Sequence, residues 1–560
     1  MRRLNLRTRW RLVRLWFLPA GVALVSLGFL GGVDDDLFLK IYRGIDIFGK
    51  VYKEVASNYV DEIDPDKFVR AGIDGMLQTL DPYTVYIDDQ ERDEIDLVTT
   101  GKYGGVGISV GMRDGAVTVV GLLEGFSAAK HGIQIGDKIT VIDGTSLEAM
   151  SFDAVRVLVR GAPGTEIRMT IERDGKPGLM EFVLLREEIP VRNVPYAGFI
   201  RNGIGYVRLE RFSKTAGDDV RTAIKEIGEK GSIRALVLDL RDNPGGLLDM
   251  AVDVASKFLP ESSLVVTTRG RRNDADRKYY TIGTPMLREI PLAVLVDAGS
   301  ASASEIVAGA IQDLDRGVIV GTRTFGKGLV QTISRLSERT SLKMTTGRYF
   351  TPSGRSIQEI DYFHKSEDGD VRILPDSLRR EFRTLHNRTV FEGGGIMPDS
   401  VIEHAAYSPL AQALFHKAMF FKFAHRYARS NSTLPAGFRV TSEGLKDFED
   451  FSKEQGFEFR DATHEKLADL KEFAAQAKYG SRVFDEFVKL ETLLKHEQEG
   501  AFERHGEELR RILTLEIIGR IEGEKAKIAA SLSGDRQLDI ALALLEKKNL
   551  YDTLLTGTTR

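Results

Sequence analysis

The sequence predicts a multi-domain α/β protein, and three observations support this prediction. With 560 residues the chain is long enough for several domains with large hydrophobic cores. Short apolar runs alternate with helix-like runs in the middle of the chain, which is typical of an α/β core. Glycine-punctuated strands precede this core, and a helical pattern with sparse glycine and proline follows it. The predicted divisions are 1–36 (signal or membrane anchor), 37–96 (helical N-terminal region), 97–190 (β-rich module), 191–404 (α/β core) and 405–560 (helical C-terminal extension).

The first 36 residues differ from the rest of the chain. Arginines at positions 2, 3, 7, 9, 11 and 14 precede an apolar run from Leu15 to Val33. A basic segment before an apolar one is typical of an export signal or of an uncleaved membrane anchor. Because the apolar run is near the minimum length for a bilayer span, both interpretations stay open; the lack of a convincing cleavage site slightly favours the anchor. Under either interpretation the rest of the chain lies on the periplasmic side of a bacterial cell envelope, where ATP is not expected to power its activity.

Composition excludes several classes of function. The formal net charge is -4, which gives no support to nucleic-acid binding. Hydrophobic residues make up 42% and charged residues 29%, as in ordinary soluble globular proteins. The chain contains no cysteine, which excludes a thiol nucleophile, thiolate zinc sites and disulfides.

The regions before the core show clear secondary-structure signals. Residues 37–95 are predicted to be helical, because apolar residues recur at helical spacing and Asp64-Pro65 marks a helix start. In the β-rich module, a helix is expected at 151–159. Strands are expected at 106–110, 116–120, 138–142 and 166–171.

The core contains two strand–turn–helix units. The buried strand Ala235–Leu240 ends at Asn243-Pro-Gly-Gly246, and a helix follows over 247–259. The strand Leu292–Val296 leads into Gly299-Ser-Ala-Ser-Ala-Ser-Glu305, and a helix follows over 306–314. This arrangement puts the hydroxyl of Ser302 at the partly positive start of a helix.

Ser302 and Lys327 together indicate nucleophilic catalysis. Taken alone, Ser302 with Glu305 is a good helix capping box, and a lysine between two glycines usually lies in water. A lysine can nevertheless act as the base for a serine hydroxyl when burial or positive charge removes its proton. Gly326 and Gly328 would let the backbone pass tightly, and the amide oxygen of Gln331 could hold the amine.

Other hydrolytic centres have less support. None of the nine histidines lies between residues 191 and 360, so a Ser-His-Asp triad would have to import its histidine. No His-Glu-x-x-His motif is present, and neither a metal nor an organic cofactor is expected. Backbone donors for an oxyanion are expected at Gly245, Gly246 and Ala303, although the two glycines are equally compatible with a plain turn.

At these residues the chain resembles the carboxyl-terminal processing proteases, also called tail-specific proteases. The resemblance covers roughly residues 37–403 and includes Asp81-Pro-Tyr83 in the helical lead-in. The matching stretches are Leu238-Asp-Leu-Arg-Asp-Asn-Pro-Gly-Gly246, Gly299-Ser-Ala-Ser-Ala-Ser-Glu305, Thr324-Phe-Gly-Lys-Gly-Leu-Val-Gln331 and Tyr349-Phe-Thr-Pro-Ser-Gly-Arg-Ser-Ile-Gln358.

This resemblance implies a crotonase-like core and assigns roles to single residues. It makes Ser302 the nucleophile, Lys327 the general base and Gln331 the residue that positions the lysine. Glu305 and Asp313 match acidic positions of the family and are assigned to support rather than to chemistry.

The β-rich module similarly resembles a PDZ domain. The backbone amides of its glycine-rich loop would bind the C-terminal carboxylate of a peptide, and the strand that starts at Val106 would take the peptide as an added strand. Val155 and Val159 would line an apolar pocket on the opposite helix. The loop residues are Gly104, Gly105, Val106, Gly107 and Ile108.

The predicted function is therefore an exported, ATP-independent serine endopeptidase that selects proteins by their apolar C-termini. A homo-oligomer and an adaptor protein are expected as partners, and residues 405–560 either stabilise the fold or serve assembly and adaptor docking. A catalytically silent PDZ scaffold or chaperone is the alternative. A trypsin-like protease with a PDZ domain fits less well, because the module comes first and a Gly-Asn-Ser-Gly-Gly loop is absent.

Overall fold

A computed structural model describes most of the chain. The described residues are 35–88, 100–113, 115–201, 203–271, 276–338, 340–362, 372–373, 375, 377, 379–403, 406–459 and 462–557. They belong to two compact units, Met1–Pro82 and Tyr83–Arg560.

The helices and strands are numbered here in chain order. The helices are α1 Asp35–Asn58, α2 Pro65–Leu77, α3 Ser127–Lys130, α4 Phe152–Val159, α5 Ala216–Lys230, α6 Leu248–Ala255, α7 Ala303–Asp313, α8 Pro409–His416, α9 Met419–Ser430, α10 Ser442–Glu454, α11 Ala462–Gln476, α12 Ser481–Glu499, α13 Ala501–Arg504, α14 Gly506–Ile521, α15 Glu524–Ser531, α16 Arg536–Glu546 and α17 Lys548–Thr556. The strands are β1 Val85–Ile87, β2 Lys102–Gly105, β3 Ile108–Arg113, β4 Ala116–Leu122, β5 Lys138–Ile142, β6 Thr145–Ser146, β7 Glu166–Glu172, β8 Leu179–Leu185, β9 Glu187–Pro190, β10 Tyr196–Arg201, β11 Ile204–Arg208, β12 Ala235–Asp239, β13 Leu264–Gly270, β14 Arg277–Tyr280, β15 Leu292–Val296, β16 Val318–Gly321, β17 Leu329–Arg335, β18 Ser341–Phe350, β19 Ile360–Asp361, β20 Arg372–Ile373, β21 Glu381–Arg383, β22 Thr389–Phe391 and β23 Ser400–Val401.

The first unit contains the helices α1 and α2. The Asp64 carboxylate caps α2 by accepting hydrogen bonds from the backbone N–H groups of Asp66 and Lys67, which confirms the predicted helix start. Tyr52 on α1 stacks on Phe68 of α2 with ring centroids 5.6 Å apart. None of the described helices is long and apolar enough to cross a bilayer. The predicted signal or anchor lies outside the described residues except for its last two positions.

The predicted helical region ends earlier than expected. Residues 85–87 form the strand β1, which pairs antiparallel with β18, so that Val85 lies opposite Lys343. The run Val85-Tyr-Ile87 consists of β-branched and aromatic residues, which favour a strand. A stretch assigned to the N-terminal helical region therefore belongs to a sheet of the second unit.

The β-rich module is an antiparallel sheet in the order β3-β4-β5-β7-β8. Its helix α4 begins where predicted, since the Ser151 hydroxyl accepts a hydrogen bond from the N–H of Ala154. The strands β2, β6, β8 and β9 were not predicted from the sequence. β9 pairs antiparallel with β2, and this two-stranded ribbon lies where the module joins the core.

The core is a six-stranded sheet in the order β10-β11-β12-β15-β16-β23. The pair β10–β11 is antiparallel, and the other pairs are parallel. The helices α5, α6 and α7 bury one face of this sheet in a large apolar cluster. The carboxyl ends of the adjacent strands β12 and β15 meet at one edge, where ligands bind in open α/β sheets.

The helices α16 and α17 cover the opposite face of the same sheet. Leu538, Leu542 and Leu545 pack in one cluster with Val237 of β12 and Leu295 of β15. A polar link adds to this contact, because the Arg241 guanidinium lies 2.7 Å from the carboxylate of Asp535, the N-cap residue of α16. The last part of the predicted C-terminal extension is thus built into the α/β core.

We expect Leu542→Ala to lower the free energy of unfolding by about 2–5 kcal/mol, because it leaves a cavity that the neighbouring side chains of the sheet cannot fill. Leu542 is 1% exposed. Leu550→Ala is the matched control, since Leu550 on the neighbouring helix is 46% exposed. Denaturant unfolding measures the free energy of unfolding of both variants. Equal stability of the two variants would contradict the packing of α16 on the sheet.

The helices α8, α9, α10, α13 and α14 form a separate apolar cluster. This helical body also touches the β-rich module. Arg520 of α14 donates to the Ile135 carbonyl and lies 2.5 Å from Nδ1 of His425. Burial, with the Arg520 charge as the second cause, lowers the pKa of His425, so the ring is neutral and accepts this hydrogen bond at neutral pH.

Candidate active site

The residue predicted as the nucleophile lies at the N-terminus of α7 in a strained backbone conformation. Ser302 has φ 55° and ψ -111°, a region that side chains other than glycine rarely adopt. Its backbone N–H donates to a Glu305 carboxylate oxygen at 2.8 Å. A strained serine between a buried strand and a helix presents its hydroxyl at the edge of the sheet, as nucleophile elbows do.

The glycine loop after β12 packs directly against this serine. A Cβ added to Gly245 would lie 2.9 Å from the Ser302 Cβ and 2.8 Å from the Ala303 nitrogen. Only glycine fits at such an approach, and φ of Gly245 is 98°. Asn243 fixes the loop, because its backbone carbonyl accepts hydrogen bonds from the Ala301 N–H and the Ser304 hydroxyl.

The structure narrows the set of predicted oxyanion donors. The Gly245 N–H already donates to the side-chain oxygen of Asn243 at 2.9 Å, so this amide is engaged. The N–H groups of Gly246 and Ala303 have no acceptor among the described residues. Gly246 and Ala303 therefore suit the oxyanion in this conformation, whereas Gly245 provides the close approach. The sequence did not show that the side chain of Asn243 accepts the hydrogen bond of the Gly245 N–H.

Glu305 connects the serine turn to the lysine loop. One of its carboxylate oxygens accepts the backbone N–H groups of Ser302 at 2.8 Å and Lys327 at 2.9 Å. The other accepts the Gly326 N–H at 2.7 Å and the Thr324 hydroxyl at 2.6 Å. Burial raises the pKa of this fully buried carboxyl to about 7, against the opposing effect of these hydrogen bonds. The resemblance implied only a supporting role for Glu305. In the structure its carboxylate supports the site by binding the backbones of both Ser302 and Lys327.

Tyr349 makes a second connection between the same two segments. Its hydroxyl contacts the backbone carbonyl oxygens of both Ser302, at 3.2 Å, and Lys327. Burial raises the pKa of Tyr349 well above its usual value, so the hydroxyl keeps the proton that it donates. Glu305 and Tyr349 thus hold the backbones of Ser302 and Lys327 next to each other at two points.

The glycines on either side of Lys327 are required by close packing. A Cβ at Gly326 would lie 2.7 Å from the Glu359 Cβ, and one at Gly328 would lie 2.9 Å from the Gln358 nitrogen. The predicted tight passage of the backbone is confirmed at both positions. Lys327 itself is half-buried, and its Nζ lies 4.3 Å from the centroid of the Tyr83 ring.

Gln331 and Asp313 are placed differently from the central pair. The side-chain amide of Gln331 donates to the Thr345 hydroxyl at 3.4 Å, so its predicted contact with the lysine stays a prediction. Asp313 ends α7, the helix that Ser302 begins, and binds the buried guanidinium of Arg355 at 2.8 Å. Its support is therefore structural and remote from the nucleophile. The described residues contain no group of three or more acidic or histidine side chains that could hold a metal ion.

The β-rich module supports part of the predicted peptide site. The N–H groups of Val106 and Gly107 have no acceptor among the described residues, whereas both carbonyls are bonded internally. β3 is an edge strand, but it begins at Ile108 rather than at Val106. Val155 and Val159 are buried in the core of the module together with Val106 and Ile108, so their lining of a peptide pocket stays a prediction.

Gly104 and Gly105 lie in the ribbon strand β2, opposite Glu188 and Glu187 of β9. Gly104 leaves no room for a side chain, because a Cβ there would lie 1.9 Å from the Gly161 carbonyl oxygen. These two glycines therefore belong to the ribbon of β2 and β9 that leads into the loop. A part for them in binding a carboxylate stays a prediction.

Three residues of this site were not predicted from the sequence. Asn243 and Thr324 are part of the motifs that carried the resemblance, so their place in a motif was the available signal. Tyr349 opens the last of these motifs. Their hydrogen bonds join segments far apart in the chain, and sequence spacing could not show which side chain reaches which backbone group.

Family models match four successive parts of the chain. Residues 40–91 match the model for the activating protease CtpB N-terminal domain, and residues 94–172 match the PDZ domain. Residues 203–364 match peptidase family S41. Residues 410–545 match the C-terminal helical domain of probable PDZ-proteases.

Whole-chain comparisons find relatives of the same kind. A carboxy-terminal-processing protease of Bartonella bacilliformis is 41% identical over 61% of this chain and 78% of its own length. The carboxy-terminal processing protease CtpB of Bacillus subtilis is 32% identical over 57% of this chain and 69% of its own length. Among solved structures, a photosystem II D1 C-terminal processing protease shares 26% identity over 64% of this chain and 92% of that one, with a TM-score of 0.34.

Proposed function

Because the chain belongs to the carboxy-terminal processing proteases, serine-type peptidases of family S41 with a PDZ domain, we propose that Ser302 and Lys327 form its catalytic dyad. One observation carries this proposal. A single buried carboxylate oxygen of Glu305 accepts the backbone N–H groups of both residues. The same site acts as an ATP-independent endopeptidase on exported proteins with apolar C-termini.

The reaction follows from the chemistry of the two side chains. Neutral Lys327 takes the proton of the Ser302 hydroxyl while the serine oxygen attacks the scissile carbonyl carbon. The N–H groups of Gly246 and Ala303 stabilise the negative charge that forms on the carbonyl oxygen. The lysine ammonium then protonates the leaving amine, and an acyl-enzyme remains. Water, deprotonated by Lys327, attacks the ester and releases the new carboxyl terminus together with the free serine.

The PDZ domain selects the substrate in this proposal. The open N–H groups of Val106 and Gly107 suit the terminal carboxylate of a protein tail. The preceding residues of the tail extend along the edge of β3 by main-chain hydrogen bonds, a mode in which pockets for alternate side chains give specificity. An apolar last residue is expected to pack toward Val155 and Val159, which belong to the apolar core of the module.

The N-terminal segment gives the proposal its cellular place. The arginine-rich and apolar residues 1–36 deliver the protein to the periplasmic side of the envelope and either anchor it or are removed. Assembly as a homo-oligomer and docking of an adaptor remain part of the proposal, with the helices from α8 to α14 as the surface for them.

Tail selection can be tested with paired substrates. We expect a reporter protein that ends in three alanines to be cleaved with a kcat/KM at least about tenfold higher than the same reporter ending in three aspartates, because a charged tail cannot be desolvated in an apolar site. Gly107→Ala should remove this preference, since φ of Gly107 is +85° and a Cβ would lie 2.5 Å from the Phe126 Cβ.

Gly115→Ala is the matched control. Gly115 also has a positive φ, +74°, but a Cβ there meets nothing within 4 Å. The control variant should keep the preference for the alanine tail. Equal cleavage of both tails by the unmodified protein would contradict selection by the C-terminus.

A further inference from the structure

The ring of Tyr83 lies under the amine of the predicted base. Nζ of Lys327 is 4.3 Å from the ring centroid, well within the range of a cation–π contact. Tyr83 lies outside residues 203–364, which match the peptidase family, and none of the predicted catalytic roles includes it. The contact therefore brings a residue from before the PDZ domain into the active site.

Tyr83 is held in place from both sides. The hydroxyl of the next residue, Thr84, accepts a hydrogen bond from the Thr345 N–H of β18 at 3.1 Å. The ring of Tyr83 packs edge-on against Tyr362, with centroids 5.8 Å apart and planes at 89°. β18 also pairs with β17, the strand that begins two residues after Lys327. Tyr83 and Lys327 thus each lie two residues before a strand of one antiparallel sheet.

Titratable groups approach the lysine from three sides. From α7, the Glu305 carboxylate accepts the Lys327 N–H. From β18, the Tyr349 hydroxyl contacts the Lys327 carbonyl oxygen. From the segment after β18 come Tyr362 and Glu359; the latter lies against Gly326 and is paired with Arg379 at 3.5 Å. The ammonium itself lies over the face of the Tyr83 ring.

An aromatic face attracts an ammonium group but not a neutral amine. We propose that Tyr83 is a positioning residue whose ring holds the protonated Lys327 between turnovers, at the place from which the amine serves Ser302. This inference rests on the proposed dyad. The contacts of Glu305 and Tyr349 fix the backbone of Lys327, and the ring of Tyr83 fixes the position of its Nζ.

The proposal predicts an effect on the pH dependence of catalysis. Activity rises with pH as the lysine loses its proton, and the ring opposes this loss by stabilising the ammonium. Without the ring the neutral base forms at lower pH, so the acid limb of the kcat profile shifts to lower pH. The Glu305 carboxyl, whose pKa burial raises to about 7, titrates within the measured pH range but is common to all variants compared.

The experiment compares kcat between pH 5 and pH 10 for three substitutions of one residue. We expect Tyr83→Leu to move the acid limb down by about 0.5–1.5 pH units and to lower the plateau by about tenfold, through loss of positioning. Tyr83→Phe keeps the ring and should retain the position of the limb. Tyr83→Trp offers a stronger face and should move the limb up. Tyr280→Leu is the control, since Tyr280 is a 46% exposed tyrosine on β14 of the same sheet.

The outcomes separate this inference from the proposed function. An unchanged acid limb in the folded Leu variant, or a Phe variant that matches Leu, would overturn the role of the ring. Should Tyr83→Leu fail to fold, the upward shift in Tyr83→Trp decides, and its absence would overturn the proposal. Cleavage that persists in Ser302→Ala would instead reject the dyad itself, whatever the Tyr83 variants show.

Discussion

Ser302→Ala is expected to lower kcat by at least about 10³-fold while the fold persists, because the covalent route loses its nucleophile. Lys327→Ala should do the same. Lys327→Arg is the sharper variant, since an arginine keeps the positive charge over Tyr83 but cannot become the neutral base that the reaction needs. We therefore expect the arginine variant to be as inactive as the alanine variant.

Casein digestion and a fluorogenic peptide measure these losses, and a thermal melt shows that each variant is folded. Ser334→Ala is the matched control, because this serine lies on the exposed part of β17 and should leave turnover unchanged. An inactive unmodified protein would favour the alternative of a silent scaffold. Strong turnover by Lys327→Arg would show that Lys327 is not the base.

Glu305→Gln is expected to lower kcat by about 10²-fold or more, although the new side chain has the same shape. Each carboxylate oxygen accepts two donors: one oxygen takes the N–H groups of Ser302 and Lys327, and the other takes the Gly326 N–H and the Thr324 hydroxyl. An amide can offer only one oxygen, so its NH₂ group must face a pair of donors. Each unsatisfied buried donor costs about 1–3 kcal/mol, and the serine and lysine loops lose their common anchor.

The same substitution should change the pH dependence of stability. Burial raises the pKa of Glu305 from 4.5 to about 7. Between these two values the folded protein holds a proton that the unfolded chain releases, so this group makes stability fall as pH rises through that window. Unfolding free energies at pH 5 and pH 8 should therefore differ less in Glu305→Gln than in the unmodified protein.

Glu226→Gln, on the exposed side of α5, is the control for the removal of a carboxylate. It should change neither kcat nor the pH dependence of stability. An active Glu305→Gln enzyme would show that the carboxylate does not hold the two loops together. An unaltered pH dependence of stability would contradict the raised pKa of Glu305.

The sequence was informative where a local pattern determines structure. Strand–turn–helix units around Gly245 and Ser302 could be predicted because buried strands, glycine turns and helix starts are local signals. The tight passage of the backbone at Lys327 followed from its flanking glycines. The family resemblance then linked these segments, and the match to peptidase family S41 confirms that link.

The rest depends on contacts between distant segments. An apolar face on α16 shows that the helix is packed, but not that its partner is the sheet of the protease core. Gly245 was expected to donate to the oxyanion, and only the hydrogen bond to Asn243 shows that its N–H is engaged. Tyr83 could be placed in a turn from sequence, whereas its position under Lys327 results from the pairing of β1 with β18.

In the proposed reaction a single serine carries the acyl group, and one lysine activates that serine as a nucleophile. The most direct measurement labels that serine: protein that is actively digesting casein is treated with a fluorophosphonate, which phosphonylates the nucleophile with loss of fluoride, and the adduct is located by mass spectrometry. We predict one adduct, on Ser302, that forms at least about 10²-fold more slowly in Lys327→Ala. An adduct on another residue that stops digestion, or labelling of Ser302 at an undiminished rate without the lysine, would contradict it.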